Sequence, residues 1–97
     1  VGAAPTDAEY EAIRSTLVAD PDVEGLHDLT VFYDGTVLEV EVHVEVDGEM
    51  TIREGHNLES KLVESLRAVE GVGDAHIHLD PSGLGEWKDA VEIDNSG

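Results

Sequence analysis

Between Leu38 and Asp47 apolar and charged residues alternate without a break. Leu38, Val40, Val42, Val44 and Val46 interleave with Glu39, Glu41, His43, Glu45 and Asp47. A period of two is that of a half-buried strand, with one row of side chains in a core and the other in water. Two further segments follow a helical period. Thr6-Asp7-Ala8-Glu9 is a capping box, and Tyr10, Ile13, Leu17 and Val18 recur behind it at helical spacing. The spacing predicts a helix over 7–19 that stops at Asp20-Pro21, because a residue before proline is pushed out of the α region. Thr51-Ile52-Arg53-Glu54 is a second capping box, and Leu58, Leu62, Leu66 and Val69 form one stripe with Val63 beside it. A second helix therefore runs to about Val69 and ends through the glycines of Glu70-Gly71-Val72-Gly73.

The remaining segments read as strands. Leu26 to Tyr33 leads into Asp34-Gly35, a hairpin signal. Asp74 to Leu79 puts Ala75, Ile77 and Leu79 on one face and His76 and His78 on the other, with Pro81 as its stop. The order α-β-β-α-β makes an α+β two-layer sandwich, a three-stranded mixed sheet with two helices on one face. Residues 1–81 form the domain and 82–97 a polar tail, whose Trp87 is read equally as docking on the domain or its dimer partner, or as loosely packed.

Charge narrows the range of partners. The 97 residues hold 23 Asp+Glu against 5 Lys+Arg, a formal net charge of −18. Nucleic-acid binding by phosphate neutralisation is excluded, and docking on an anionic membrane is disfavoured. Cysteine is absent, so disulfides and thiolate metal sites are too. No apolar run approaches the roughly 20 residues that span a bilayer, and no signal-peptide pattern is present, so the expectation is a soluble domain. The carboxylates are spread along the whole chain and no Asp-x-Asp-x-Asp-Gly loop appears, which favours solvation in a salt-rich cytoplasm, a halophile's device, over a cation buffer.

Five histidines carry the candidate chemistry: His27, His43, His56, His76 and His78. If the first hairpin has a three-residue loop, Tyr33 faces Val37 and His27 falls opposite His43, close enough for two imidazoles to share an ion. A two-residue loop would turn His27 to the other face, so a metal site needs the longer loop or a bulge. The second helix must begin where the second strand ends, which sets His56 above the same edge. A right-handed crossover brings the third strand in parallel, so that His78 and Asp80 arrive there as well. His27, His43, His56, His78 and Asp80 thus converge from four elements, with His76 one step back. Imidazole and carboxylate suit zinc, and also manganese, iron, cobalt, nickel or cadmium. Five donors exceed one tetrahedral ion, so either two ions share Asp80 or some ligands serve a second protomer. The alternative is a surface rich in titrating histidines.

Gly25-Leu26-His27-Asp28-Leu29, Val42-His43-Val44-Glu45-Val46, Gly55-His56 and Ile77-His78-Leu79-Asp80-Pro81 resemble the cytoplasmic C-terminal domain of cation diffusion facilitator transporters, over about residues 8–81. The resemblance implies a ferredoxin-like, metallochaperone-like fold and a homodimeric regulatory module beside the membrane part of the same transporter. In it His27, His43, His56, His78 and Asp80 match the cytoplasmic metal ligands; His76 matches none. It further implies that bound zinc or another divalent metal draws two such domains together and favours transport. The six membrane helices of the family are absent from this sequence, so it reads as an excised domain or a stand-alone relative. The competing class is a metal-independent ferredoxin-like module for a small ligand or protein. A metallohydrolase is disfavoured, since the chain offers no lid and no general base beside the cluster.

Overall fold

The computed structural model describes residues 3–83; Trp87 and the rest of the tail lie outside the described residues. Helix α1 (Asp7–Val18) is followed by β1 (Gly25–Asp34), β2 (Val37–Val46), α2 (Ile52–Arg67) and β3 (Val72–Pro81). Both capping boxes form: the Thr6 and Thr51 hydroxyls accept the N–H groups of Glu9 and Glu54, whose side chains reach back to the cap N–H groups. Both helices end slightly earlier than their apolar periods suggest, with Ala19 and Ala68 as C-caps. Val69 still packs against the core from the turn beyond α2. Strand β3 begins at Val72, opposite Leu38, and includes Pro81, paired with Val46. Proline is tolerated there because it sits at the end of an edge strand.

The sheet runs β1-β2-β3, antiparallel then parallel. Strand β2 is central, and its apolar row, Leu38, Val40, Val42, Val44 and Val46, is buried. Against it pack Ile13 and Leu17 of α1, Leu58, Leu62 and Leu66 of α2, and Val31, Ala75 and Ile77 of the flanking strands. Among the described residues no polar or charged side chain is buried, so the core holds together by apolar contact. The ion pair Lys61 Nζ–Asp20 Oδ2, 2.9 Å, ties the turn after α1 to α2 at the surface. Burial works to raise the Asp20 carboxyl, but the Asp22 N–H and Lys61 outweigh it and hold it below its ordinary value.

The first hairpin departs from the three-residue loop. Asp34 pairs with Val37, which leaves only Gly35 and Thr36 in the turn, and Tyr33 faces Leu38. Continued without interruption, that register would set His27 opposite Val44, on the core side. A bulge corrects it. Thr30 still faces Glu41, but by His27 the partner is His43, so two residues of β1, Asp28 and Leu29, stand against one of β2. Asp28 takes the left-handed conformation, φ 54°, that this kink requires and that Asp tolerates better than most residues. The slip restores His27 to the face away from the helices.

Candidate metal centre

That outer face carries the polar row of β2 and the matching rows of its neighbours. His27 and His78 lie on either side of His43 in register, and Asp80 lies beside Glu45. The three imidazoles stack across the strands, with centroids 5.1 Å apart for His27–His43 and 4.8 Å for His43–His78, at interplanar angles of 15° and 18°. Asp80 reaches into this row. Its Oδ2 accepts from His43 Nδ1 at 2.7 Å and lies 3.5 Å from His27 Nε2. One ligand atom each from His27, His43 and Asp80 lies within 4.8 Å of the others, and all three side chains are partly buried.

A second carboxylate sets the orientation of His27. Glu45 Oε2 accepts from Nδ1 at 2.8 Å, which assigns the ring proton to that nitrogen and turns Nε2 toward Asp80. A histidine whose far nitrogen is held by a carboxylate is the usual support for a metal ligand. Gly25 makes this contact possible. It lies opposite Glu45 in register, and a Cβ there would sit 2.9 Å from Glu45 Oε1. Glu45 was not among the residues singled out from the sequence; its place two positions after His43 on the polar row was the available signal.

His78 and His56 stand further out. His78 is exposed and stacks on His43, but it is not part of the three-residue donor group. His56 is exposed on the second turn of α2 and shares with Asp80, Leu79 and Met50 the wall of a shallow cleft of about 340 Å³. Gly55 brings the helix close to β3 at this point, since a Cβ would meet Leu79 Cδ1 at 3.3 Å. Sequence convergence is thus resolved into a tight group of three, a stacked fourth residue and a fifth across the cleft. His76, read as one step back, lies near Glu39 and Asp74 instead.

The donor set fits a divalent transition ion. Two imidazoles and a carboxylate are ligand types that zinc takes, and two ligands on one tetrahedral ion at about 2.05 Å stand about 3.3 Å apart. The His27 Nε2–Asp80 Oδ2 separation of 3.5 Å is close to that. The shorter His43–Asp80 contact is a hydrogen bond that would open slightly around an ion.

A family model described as the cytoplasmic domain of cation efflux proteins matches residues 5–82. The chain belongs to that family. Among relatives of this cation efflux domain, a transporter of Methanocaldococcus jannaschii is 33% identical over 79 residues, 81% of this chain and 28% of the relative. The cation-efflux pump FieF of Pectobacterium atrosepticum is 31% identical over 75 residues, 77% of this chain and 25% of the pump. The chain thus spans between a quarter and a third of the length of these relatives. The metal-bound C-terminal domain of the CzcD transporter from Thermotoga maritima matches the fold with a TM-score of 0.74, at 28% identity, over 78% of this chain and 90% of that one. The ferredoxin-like α+β architecture is therefore shared with solved domains of the family. Among the described residues no helix is long and apolar enough to cross a membrane.

Proposed function

We propose that this domain senses a divalent cation, zinc first among them, for an efflux transporter, and that the bound ion closes a homodimer of the domain. One observation carries the reading: His27, His43 and Asp80 present ligand atoms within 4.8 Å of one another at the edge where β2 and β3 end. Glu45 supports the group from behind, and the metal-bound CzcD domain shares its fold. His78 and His56 are read as completing the coordination, either around a second ion bridged by Asp80 or across to a second protomer. The protein's own residues hold and orient; the ion supplies the bond between elements, and no step requires catalysis.

Regulation follows from differential affinity. A metal that binds the closed pair more tightly than the open one shifts the equilibrium by that difference. With −18 charges on each copy, two domains repel until salt or bound cations offset the repulsion, which fits our reading of the acidity as suited to a salt-rich cytoplasm. Small-angle scattering at fixed ionic strength tests this. Zinc should compact the wild-type dimer and leave His43→Ala unchanged. Zinc bound in calorimetry with no change in scattering would refute dimer closure. No zinc binding at neutral pH would refute the sensing role itself and favour a metal-independent module.

A further inference from the structure

A second group of ligand atoms lies on the same outer face, toward the opposite end of the sheet. Glu39 of β2 and Asp74 of β3 are direct partners in the parallel ladder, and His76 lies two residues on from Asp74 along the same row. One ligand atom from each of the three falls within 4.8 Å of the others. Glu39 and His43 are four positions apart on β2, about 13 Å along a strand, so no single ion serves both groups.

Several features build this group. The ladder slips between Leu38–Val72 and Glu39–Asp74, so Gly73 is the extra residue that sets the two carboxylates abreast. Gly73 has no room for a side chain, since a Cβ would lie 2.8 Å from Val37 Cβ. Like charges directly opposite one another on a sheet are unfavourable, and a cation between them relieves that cost. Asp74 is also fixed in one orientation. Its Oδ1 accepts from the Ala75 N–H at 2.9 Å and from Arg67 at 3.1 Å. Those two contacts, the backbone N–H foremost, keep its carboxyl below the usual range. Oδ2 is left turned toward His76, whose Nε2 is 3.6 Å away, near the separation of two ligands on one ion. The Ala75 N–H holds this carboxylate from behind, the arrangement that supports a metal ligand, whereas the Arg67 charge beside it opposes a cation.

We propose that Glu39, Asp74 and His76 form a second divalent-cation site, independent of the His27, His43 and Asp80 group. Its donors are one imidazole and two carboxylates, against two imidazoles and one carboxylate at the first. The oxygen-richer set accepts harder ions such as manganese alongside zinc. Its ligands are more exposed and Arg67 stands close by, so it is the weaker of the two.

Zinc titration of the full chain, read by calorimetry and by native mass spectrometry, tests the assignment. In the His43→Ala background, which disables the first group, one zinc per chain should remain. Adding His76→Gln should remove it, with at least a tenfold loss of affinity, and Glu39→Gln should do the same while circular dichroism stays unchanged. Arg67→Gln, which removes the competing cation and touches no ligand atom of the ion, should tighten binding. Retention of the ion in both His76→Gln and Glu39→Gln would overturn the site. So would the absence of any zinc in His43→Ala when the wild type binds one, since that outcome leaves the first site intact and the second unsupported. If neither protein binds zinc, both sites fall together.

Discussion

The two faces of β2 differ as much as two faces of one strand can. Toward the helices stand five buried aliphatic side chains; toward the outside stand Glu39, Glu41, His43 and Glu45, partly or fully exposed. The inner face makes the fold, and it does so by apolar burial alone among the described residues. The outer row of β2 lies outside the buried apolar cluster, which leaves its residues available for chemistry. The division teaches where to look in a two-layer α+β domain whose helices cover one side only: the candidate ligands gather on the uncovered side, at positions that the strand period separates cleanly from the core.

The largest expected effect falls on the core that the inner face of β2 shares with α2. Leu62→Ala removes a side chain that is 1% exposed, and should cost about 2–5 kcal/mol of stability in denaturant unfolding. Zinc affinity of the folded fraction should be unchanged; a parallel loss of affinity would break the separation between faces. Glu45→Gln acts on the outer face in the opposite sense. Calorimetry should show a 10–100-fold weaker zinc complex, because His27 loses the carboxylate that orients it, with little change in stability.

Asp28→Val probes the link between the faces. A β-branched residue at φ 54° strains the bulge, and should cost about 1–3 kcal/mol while Asp28→Gly is neutral or stabilising. If the bulge shifts in response, His27 leaves the outer face and zinc affinity falls with stability. The smallest effect concerns Lys61→Gln. The Asp20 carboxyl is depressed in the fold, so its share of stability is complete above the ordinary value of 3.8 and is lost as pH falls through the lowered one. Removing Lys61 raises that carboxyl, so the acid-unfolding midpoint should move to higher pH, with zinc binding at neutral pH unaffected.

Period made most of the fold legible. Alternation in β2, the stripe of α2 and two Thr-x-x-Glu boxes suffice for order, type and facing of the elements, because each is a local pattern. The hairpin register was legible only as two alternatives, a longer loop or a bulge; the structure takes a short turn with a compensating bulge, and His27 still pairs with His43. Asp28 tolerates a left-handed conformation, but nothing in its neighbours demands one until His27 and His43 are paired. The candidate site shows the same boundary. His27, His43 and Asp80 could be brought to one edge by topology, whereas the roles of Glu45 and Gly25 depend on which residues stand opposite each other. His78 was placed on the right face, yet parallel register stacks its ring on His43 rather than adding it to the close group. The slip at Gly73 is likewise a matter of register, and with it the pairing of Glu39 and Asp74 that draws His76 into a group of its own.

Anomalous diffraction at the zinc edge, from crystals of the chain grown with zinc, addresses the central claim most directly. The account predicts a peak about 2.0–2.2 Å from His27 Nε2 and an Asp80 oxygen, with a ring nitrogen of His43 in the same shell and Glu45 still on His27 Nδ1. An ordered, zinc-saturated crystal with no peak among His27, His43 and Asp80 would contradict it.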